Sequence, residues 1–278
     1  MVTALVRFLK RFLILIPGLI IVYFAVADLV PFLHDQLSVS WAVAFLLAYV
    51  VSAYLLIPTA IRVLRSIFPA RHIPLYSTTP DGFACDPINV GIVGTEKQVR
   101  RAMKQAGWHE ADTRTPKTIL RLVMSFVLKR PYSTAPFSNL YLLGRSQDLG
   151  FQLPLANDPS HRHHVRFWAA SHTGNPRHLD HVSFWHRLHR STAADKRTLW
   201  VGAASLDTGL GVIRHNAQIT HMIHPDTNAE RELIVRTLKK TRLVKKSRSE
   251  KIGNPYRLTN RVLTGYLHTD GTMKILEL

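Results

Sequence analysis

Four short polar groups carry the residues most suited to chemistry. They are Arg145 with Asp148 in GRSQD, His163–Trp168 in HHVRFW, Asp207 at the end of WVGAASLD, and Thr220-His221 followed by Asp226, Glu230 and Arg231. Histidine, carboxylate and guanidinium together permit two kinds of site. Imidazole and carboxylate are borderline ligands, so His164 and His221 with Asp207 or Asp148 suit a divalent metal. Alternatively, Arg145 and Arg166 clamp a phosphate or carboxylate by paired hydrogen bonds, with a histidine as acid or base. The candidate set is therefore Arg145, Asp148, His164, Arg166, Asp207 and His221, with His164, His221 and Asp207 as the metal ligands. The metal reading rests on residue types alone, since no HExxH or other strict ligand spacing occurs.

Simpler roles compete for the same side chains. Arg145 and Asp148 can form a local ion pair. Glu230 can close a capping box with Thr227, and Asp226 supplies negative charge at a helix start. Successive strand residues face opposite ways, so only one of His163 and His164 serves a given site. The eight histidines between 161 and 189 read mainly as a solvated loop. A purely structural ion-pair network is the competing reading of the whole set.

Several elements must position these groups. INVGIVG (88–94) alternates as a strand, and Thr95 with Gln98 caps the helix that follows, which Gly107 ends. Gly91 and Gly94 lack the spacing of a dinucleotide fingerprint, so no nucleotide is implied. TILRLVMSFVLKR (118–130) reads as a second helix, too short to span a bilayer and interrupted by Arg121. It either packs into a core, the expected use, or lies on a membrane with its basic end at the headgroups. Strands follow at 139–145 running into 146–155, then at 161–170, 198–207 and 218–223. A long helix runs from 227 to about 246. Trp168 and Trp200 belong in the core. Helices segregated from a mainly antiparallel sheet give an α+β domain over 73–250, followed by a basic extension over 251–278.

Residues 1–72 are of another kind. Two apolar runs, about 12–33 and 41–61, each approach the roughly 20 residues that cross a bilayer as a helix. Arg7, Lys10 and Arg11 precede the first; Arg62, Arg65 and Arg71 follow the second; the connector HDQLSVS has neither Lys nor Arg. The positive-inside rule places both termini and the soluble domain in the cytoplasm, below a two-helix hairpin. Ala25-Val26-Ala27 also fits a signal-peptide cleavage site, but the apolar stretch continues to Leu33, and the second run would stop transfer in either case. Asp28, near the outer end of the first run, is expected to reach interfacial water rather than to act in the membrane.

The 278 residues hold 36 Lys+Arg against 18 Asp+Glu, a net charge of +18, and one cysteine, Cys85. That excludes a disulfide framework and a thiolate-rich zinc site. Half of the excess lies in 231–261, with 11 basic and 2 acidic residues. Nucleic acid would attract such a stretch, yet a domain tethered beside a cytoplasmic leaflet already has anionic lipid headgroups as partner.

In order along the chain, DPINVGIVGT, AGWHEAD, RPYSTAPFSNLYLLGRSQDLGFQ, RHHVRFW, LWVGAASLD and ITHMIHPDTNAERE resemble the LssY C-terminal domain family over about 78–245. That bacterial family often joins this domain to lipid-phosphatase (PAP2-type) or DedA-type membrane regions. The resemblance implies an inner-membrane protein with a context in envelope lipid metabolism, but it carries over no reaction. PAP2 signatures are absent: Lys129-Arg130-Pro131 has the wrong spacing, and Pro159-Ser160-His161 lacks the glycine. His224 stands where relatives tend to carry Asp, which weakens a carboxylate-ligand scheme there. The expected role is an accessory or binding module for envelope lipids, an anionic partner or a membrane-protein partner. The alternative is a hydrolase of phosphate esters using the His/Asp/Arg set.

Overall fold

The computed structural model describes residues 16 and 18–60, 75–80, 84–128, 130–142, 145–155, 160–169, 196–213, 219–259 and 266–278. The expected first-span residues 12–15 and 17, and all of the histidine-rich stretch from 170 to 189, lie outside them.

The N-terminal unit contains two helices long and apolar enough to cross a membrane, α1 (Gly18–Leu37) and α2 (Trp41–Ala60). The first continues four residues past the expected end, so the turn is only Ser38–Ser40, with Ser38 in the left-handed conformation and Ser40 capping α2. Each helix carries a π-turn, Ala25–Leu29 and Ser52–Leu56, just before its proline, Pro31 or Pro58. A proline cannot donate to the fourth preceding carbonyl, and widening the preceding turn accommodates the lost bond. Asp28 is exposed within the first of these turns.

The second unit is an α+β domain. Its strands are β1 (Tyr76–Thr78), β2 (Ala84–Gly94), β3 (His109–Glu110), β4 (Tyr141–Leu142), β5 (Arg145–Ser146), β6 (Leu149–Pro154), β7 (His161–Ala169), β8 (Thr198–Val212), β9 (Ile219–Ile223), β10 (Lys246–Lys251), β11 (Tyr256–Thr259), β12 (Tyr266–Thr269) and β13 (Thr272–Glu277). The main sheet runs β3-β6-β7-β8-β2-β1-β4-β5, with β9 added to β8 and β13 set between β2 and β10. All pairings are antiparallel except β13 with β2. Residues 251–278, expected as an extension, thus supply a strand that pairs with the middle of the sheet.

Helices α3 (Glu96–Gln105) and α5 (Thr227–Lys240) bury Val99, Met103, Ile234 and Leu238 against Phe151, Val165, Phe167 and Trp200. The opposite face packs Ile88, Trp168, Leu199, Val201 and Ile275. The Thr95–Gln98 capping box forms, and Gly107 ends the turn at φ +86°. At α5 the expected box does not form. Asp226 is the cap, accepting from Asn228 N and Ala229 N, while Glu230 bonds His163 Nδ1 at 2.7 Å. α5 also stops at Lys240 rather than near 246, because Arg242 turns left-handed (φ +61°) and Lys246–Lys251 pairs with β13 instead.

α4 (Pro116–Val127), opened by a Thr115–Thr118 capping box, departs most from expectation. It is not a core helix: only Ser125 is buried, and Leu120, Val123 and Met124 are exposed.

Candidate functional site

The second face of the sheet changes from apolar to polar along its strands, and the polar end gathers most of the candidate residues. On β7, Arg162, His164 and Arg166 alternate with Val165 and Phe167, so all three point away from the helices. Directly opposite on β8, Asp207 pairs in register with Arg162 and Ser205 with His164; Gln152 on β6 stands across from His164 on the other side. His221 on β9 faces Asp207 past a bulge at Gly209, whose φ of +127° suits glycine.

Asp86 completes the array from β2, and a second bulge places it there. Between Ile88 and Val90 the register to β8 slips by one residue. Asn89 fills the gap: its amide donates to Ala204 O and Thr227 O and accepts from Ala204 N, each at 3.0 Å. The slip turns Ile88 and Asp86 onto the polar face while Val90 and Ile92 face the helices.

The resulting contacts pair almost every charge. Arg166 Nη1 donates to Asp86 Oδ2 at 2.7 Å, and His164 Nε2 lies 3.2 Å from the same oxygen. Arg162 Nε donates to Asp207 Oδ2 at 3.1 Å and its Nη1 to Gln152 Oε1 at 2.7 Å. His164 Nδ1 lies 3.4 Å from Asp207 Oδ1 and His221 Nδ1 3.6 Å from Asp207 Oδ2, neither aligned as a hydrogen bond. Phe137 lies over both guanidiniums, 4.5 Å from Arg166 and 5.3 Å from Arg162. Gly150, opposite Arg166 on β6, makes room for that ring: a Cβ there would stand 2.6 Å from Phe137 Cε2.

Burial and pairing set the protonation states. Burial pushes the Asp86 carboxyl up, but the His164 hydrogen bond and the charges of Arg166 and His164 together hold it at about 2. Burial lowers Arg162, with Asp207 opposing and Arg166 adding to the fall. His221 falls to about 4, first by burial, then by repulsion from Arg162, His164 and Arg166, against the attraction of Asp207. Its imidazole is therefore neutral at neutral pH. Its side chain is 30% exposed, against 3–4% for His164 and Asp207.

Four of the six expected residues, His164, Arg166, Asp207 and His221, thus meet. Arg145 and Asp148 do not join them. They pair with each other and clasp the far end of β7, Arg145 Nη1 donating to Ala169 O and Asp148 accepting from Ala169 N. Asp86 and Arg162 were missed. The two-residue period 162-164-166 signalled Arg162; nothing in the sequence pattern signals the bulge that brings Asp86 in. As a metal centre the array fits poorly. No group of three or more His, Cys, Asp or Glu among the described residues is placed to hold a metal ion. Asp207 already accepts from a guanidinium, and two arginines in the cluster would repel a dication.

The family model of the LssY C-terminus matches residues 70–273, nearly three quarters of the chain and every member of the array. The chain belongs to the LssY C-terminus family. No curated protein and no solved structure gives a significant match. In this LssY C-terminal domain the array is a closed, self-neutralising lattice. Its guanidiniums already hold carboxylates, so an anionic ligand would have to displace Asp86 or Asp207.

Proposed function

We propose that this LssY-family chain is a membrane-anchored binding module of the bacterial inner membrane. In this reading α1 and α2 span the bilayer, both termini and the domain are cytoplasmic, and the domain engages anionic envelope lipid through its surface. One observation carries it. Arg236, Lys239, Lys240, Arg242, Lys245 and Lys246 are all exposed, and no acid occurs between Glu232 and Glu250. Arg231 does not belong to that surface: it is buried and bidentate to Asp270 at 2.8 and 3.0 Å. Each exposed cation at an anionic leaflet contributes roughly 1 kcal/mol, so reversing four should weaken binding by about a thousandfold or more.

The test uses the full chain in neutral-lipid nanodiscs presented to separate vesicles. Capture of phosphatidylglycerol-containing vesicles, lost at high salt and on reversing Lys239, Lys240, Arg242 and Lys245 to Glu, is expected. Equal capture of neutral vesicles, no capture, or tighter retention of duplex DNA overturns the reading. The convergence of His164, Arg166, Asp207 and His221 favours a second reading, phosphate-ester hydrolysis with neutral His221 as base. Turnover of a soluble aryl phosphate, abolished by His221→Ala, would support that reading over the first.

A further inference from the structure

We infer that α4 is an interfacial helix that lays its apolar face into the headgroup region of the membrane to which the chain is anchored. The inference rests on the anchor proposed above and adds an inserting element to the basic surface at Arg236–Lys246. Soluble domains rarely leave a contiguous apolar face open, yet here Leu120 is 63% exposed and Val127 68%, with Val123 and Met124 beside them. Positions 120, 123, 124 and 127 repeat at helical spacing, forming one stripe.

Charge identifies the occupant. From Thr113 to Arg130 the sequence has five cations (Arg114, Lys117, Arg121, Lys129 and Arg130) and no acid. An apolar stripe flanked only by cations is complementary to an anionic bilayer surface. A second copy of the same face would bring five more cations into contact. The segment that carries the helix is tied together where it begins and ends. Asp112 accepts from Tyr132 Oη at 2.6 Å and Thr134 Oγ1 at 3.0 Å, closing the excursion at its root. The Arg121 guanidinium lies 4.2 Å over the Tyr132 ring, setting its charge beside the stripe.

The experiment uses the full chain, with Cys85→Ser and an unchanged melting temperature, reconstituted into phosphatidylglycerol-containing vesicles. A fluorophore is placed in turn at Leu120→Cys, Val127→Cys and, as a water-facing control, Lys104→Cys. Phospholipid carrying an acyl-chain quencher should quench the first two and spare the third. Reversing Lys117 and Arg121 to Glu should weaken this contact by at least about 30-fold, at roughly 1 kcal/mol per cation removed. Quenching at Leu120 and Val127 no greater than at Lys104 overturns the inference. So does shielding of both from aqueous quencher without lipid quenching, which would mean a protein covers the stripe. Release of the chain by alkaline extraction would instead refute the anchor, so the two failures are distinguishable.

Discussion

Asp86→Ala tests most directly whether the buried array holds the domain together. The carboxylate is 1% exposed and takes Arg166 Nη1 at 2.7 Å and His164 Nε2 at 3.2 Å. Its loss leaves the buried Arg166 with only a long 3.5 Å bond to Ser138 O and an Nε that already lacks a partner. Removing one member of a buried pair costs about 3–5 kcal/mol, because the other charge stays behind uncompensated. The acidity of Asp86 gives a separate figure. A fall from 3.8 to about 2 favours the charged form in the fold by about 2 kcal/mol. The substitution costs more than that, since it also strands Arg166. In a domain of roughly 200 residues each kcal/mol moves the melting temperature by about 2–4 °C, so a fall of about 6–20 °C is expected at pH 7. Melting of the full chain in neutral detergent, followed by tryptophan fluorescence, reads it directly, because Trp168 and Trp200 are fully buried. The contribution is complete above pH 3.8 and disappears as pH falls through about 2, so the deficit of the variant should shrink in acid. Asp86→Leu with Arg166→Met, which removes both charges, should recover much of the loss. A melting temperature within about 2 °C of the parent, or above it, would refute a stabilising role and favour an array kept under strain for a ligand.

Gly150→Ala should lower the melting temperature, because the new Cβ overlaps the Phe137 ring and overpacking costs about 1–3 kcal/mol; adding Phe137→Leu should restore part of it. His221 binds its proton at about 4 in the fold against 6.5 ordinarily. The unfolded chain therefore takes up the extra proton first, and stability falls as pH drops from about 6.5 towards 4. His221→Gln, scanned by melting from pH 7 to 4, should flatten that limb, and an unchanged slope would assign it to another group.

Local rules read well from the sequence where one element decides the outcome. The Thr95–Gln98 box, the Gly107 stop, the opposed faces of His163 and His164 and the Arg145–Asp148 pair all depend on residues within a turn or a strand. What did not read was decided by tertiary pairing. Asp86 lies just before the strand expected at 88–94, and only the Asn89 side chain bonding to Ala204 shows why the strand runs through it with its faces exchanged. The basic composition carried the expected helix to about Lys246, but the chain leaves the helix at Lys240 and Lys246–Lys251 pairs with β13 instead. The apolar spacing of α4 was legible; that no core receives it was not, since a helical stripe looks the same whether protein or lipid covers it.

Charge separates the two candidate seats of function. Inside the domain each buried arginine holds an acid: Arg162 has Asp207, Arg166 has Asp86 and Arg231 has Asp270. Among the described residues the buried arginines 162, 166 and 231 are balanced by the buried Asp86, Asp207 and Glu230, so these groups add nothing to the net +18. The consequence is a clean experimental split. Salt shortens the Debye length from about 10 Å at 0.1 M to 3 Å at 1 M, which weakens contacts of exposed cations but barely reaches buried pairs. Acid does the reverse, leaving lysine and arginine charged while titrating His221 and then Asp86. If anionic lipid is the partner of the exposed basic surface, vesicle capture must fall with salt at constant melting temperature. Moderate acid must lower the melting temperature while capture by the remaining folded chain persists. Capture that tracks the melting temperature in both titrations would place the binding site in the buried array instead.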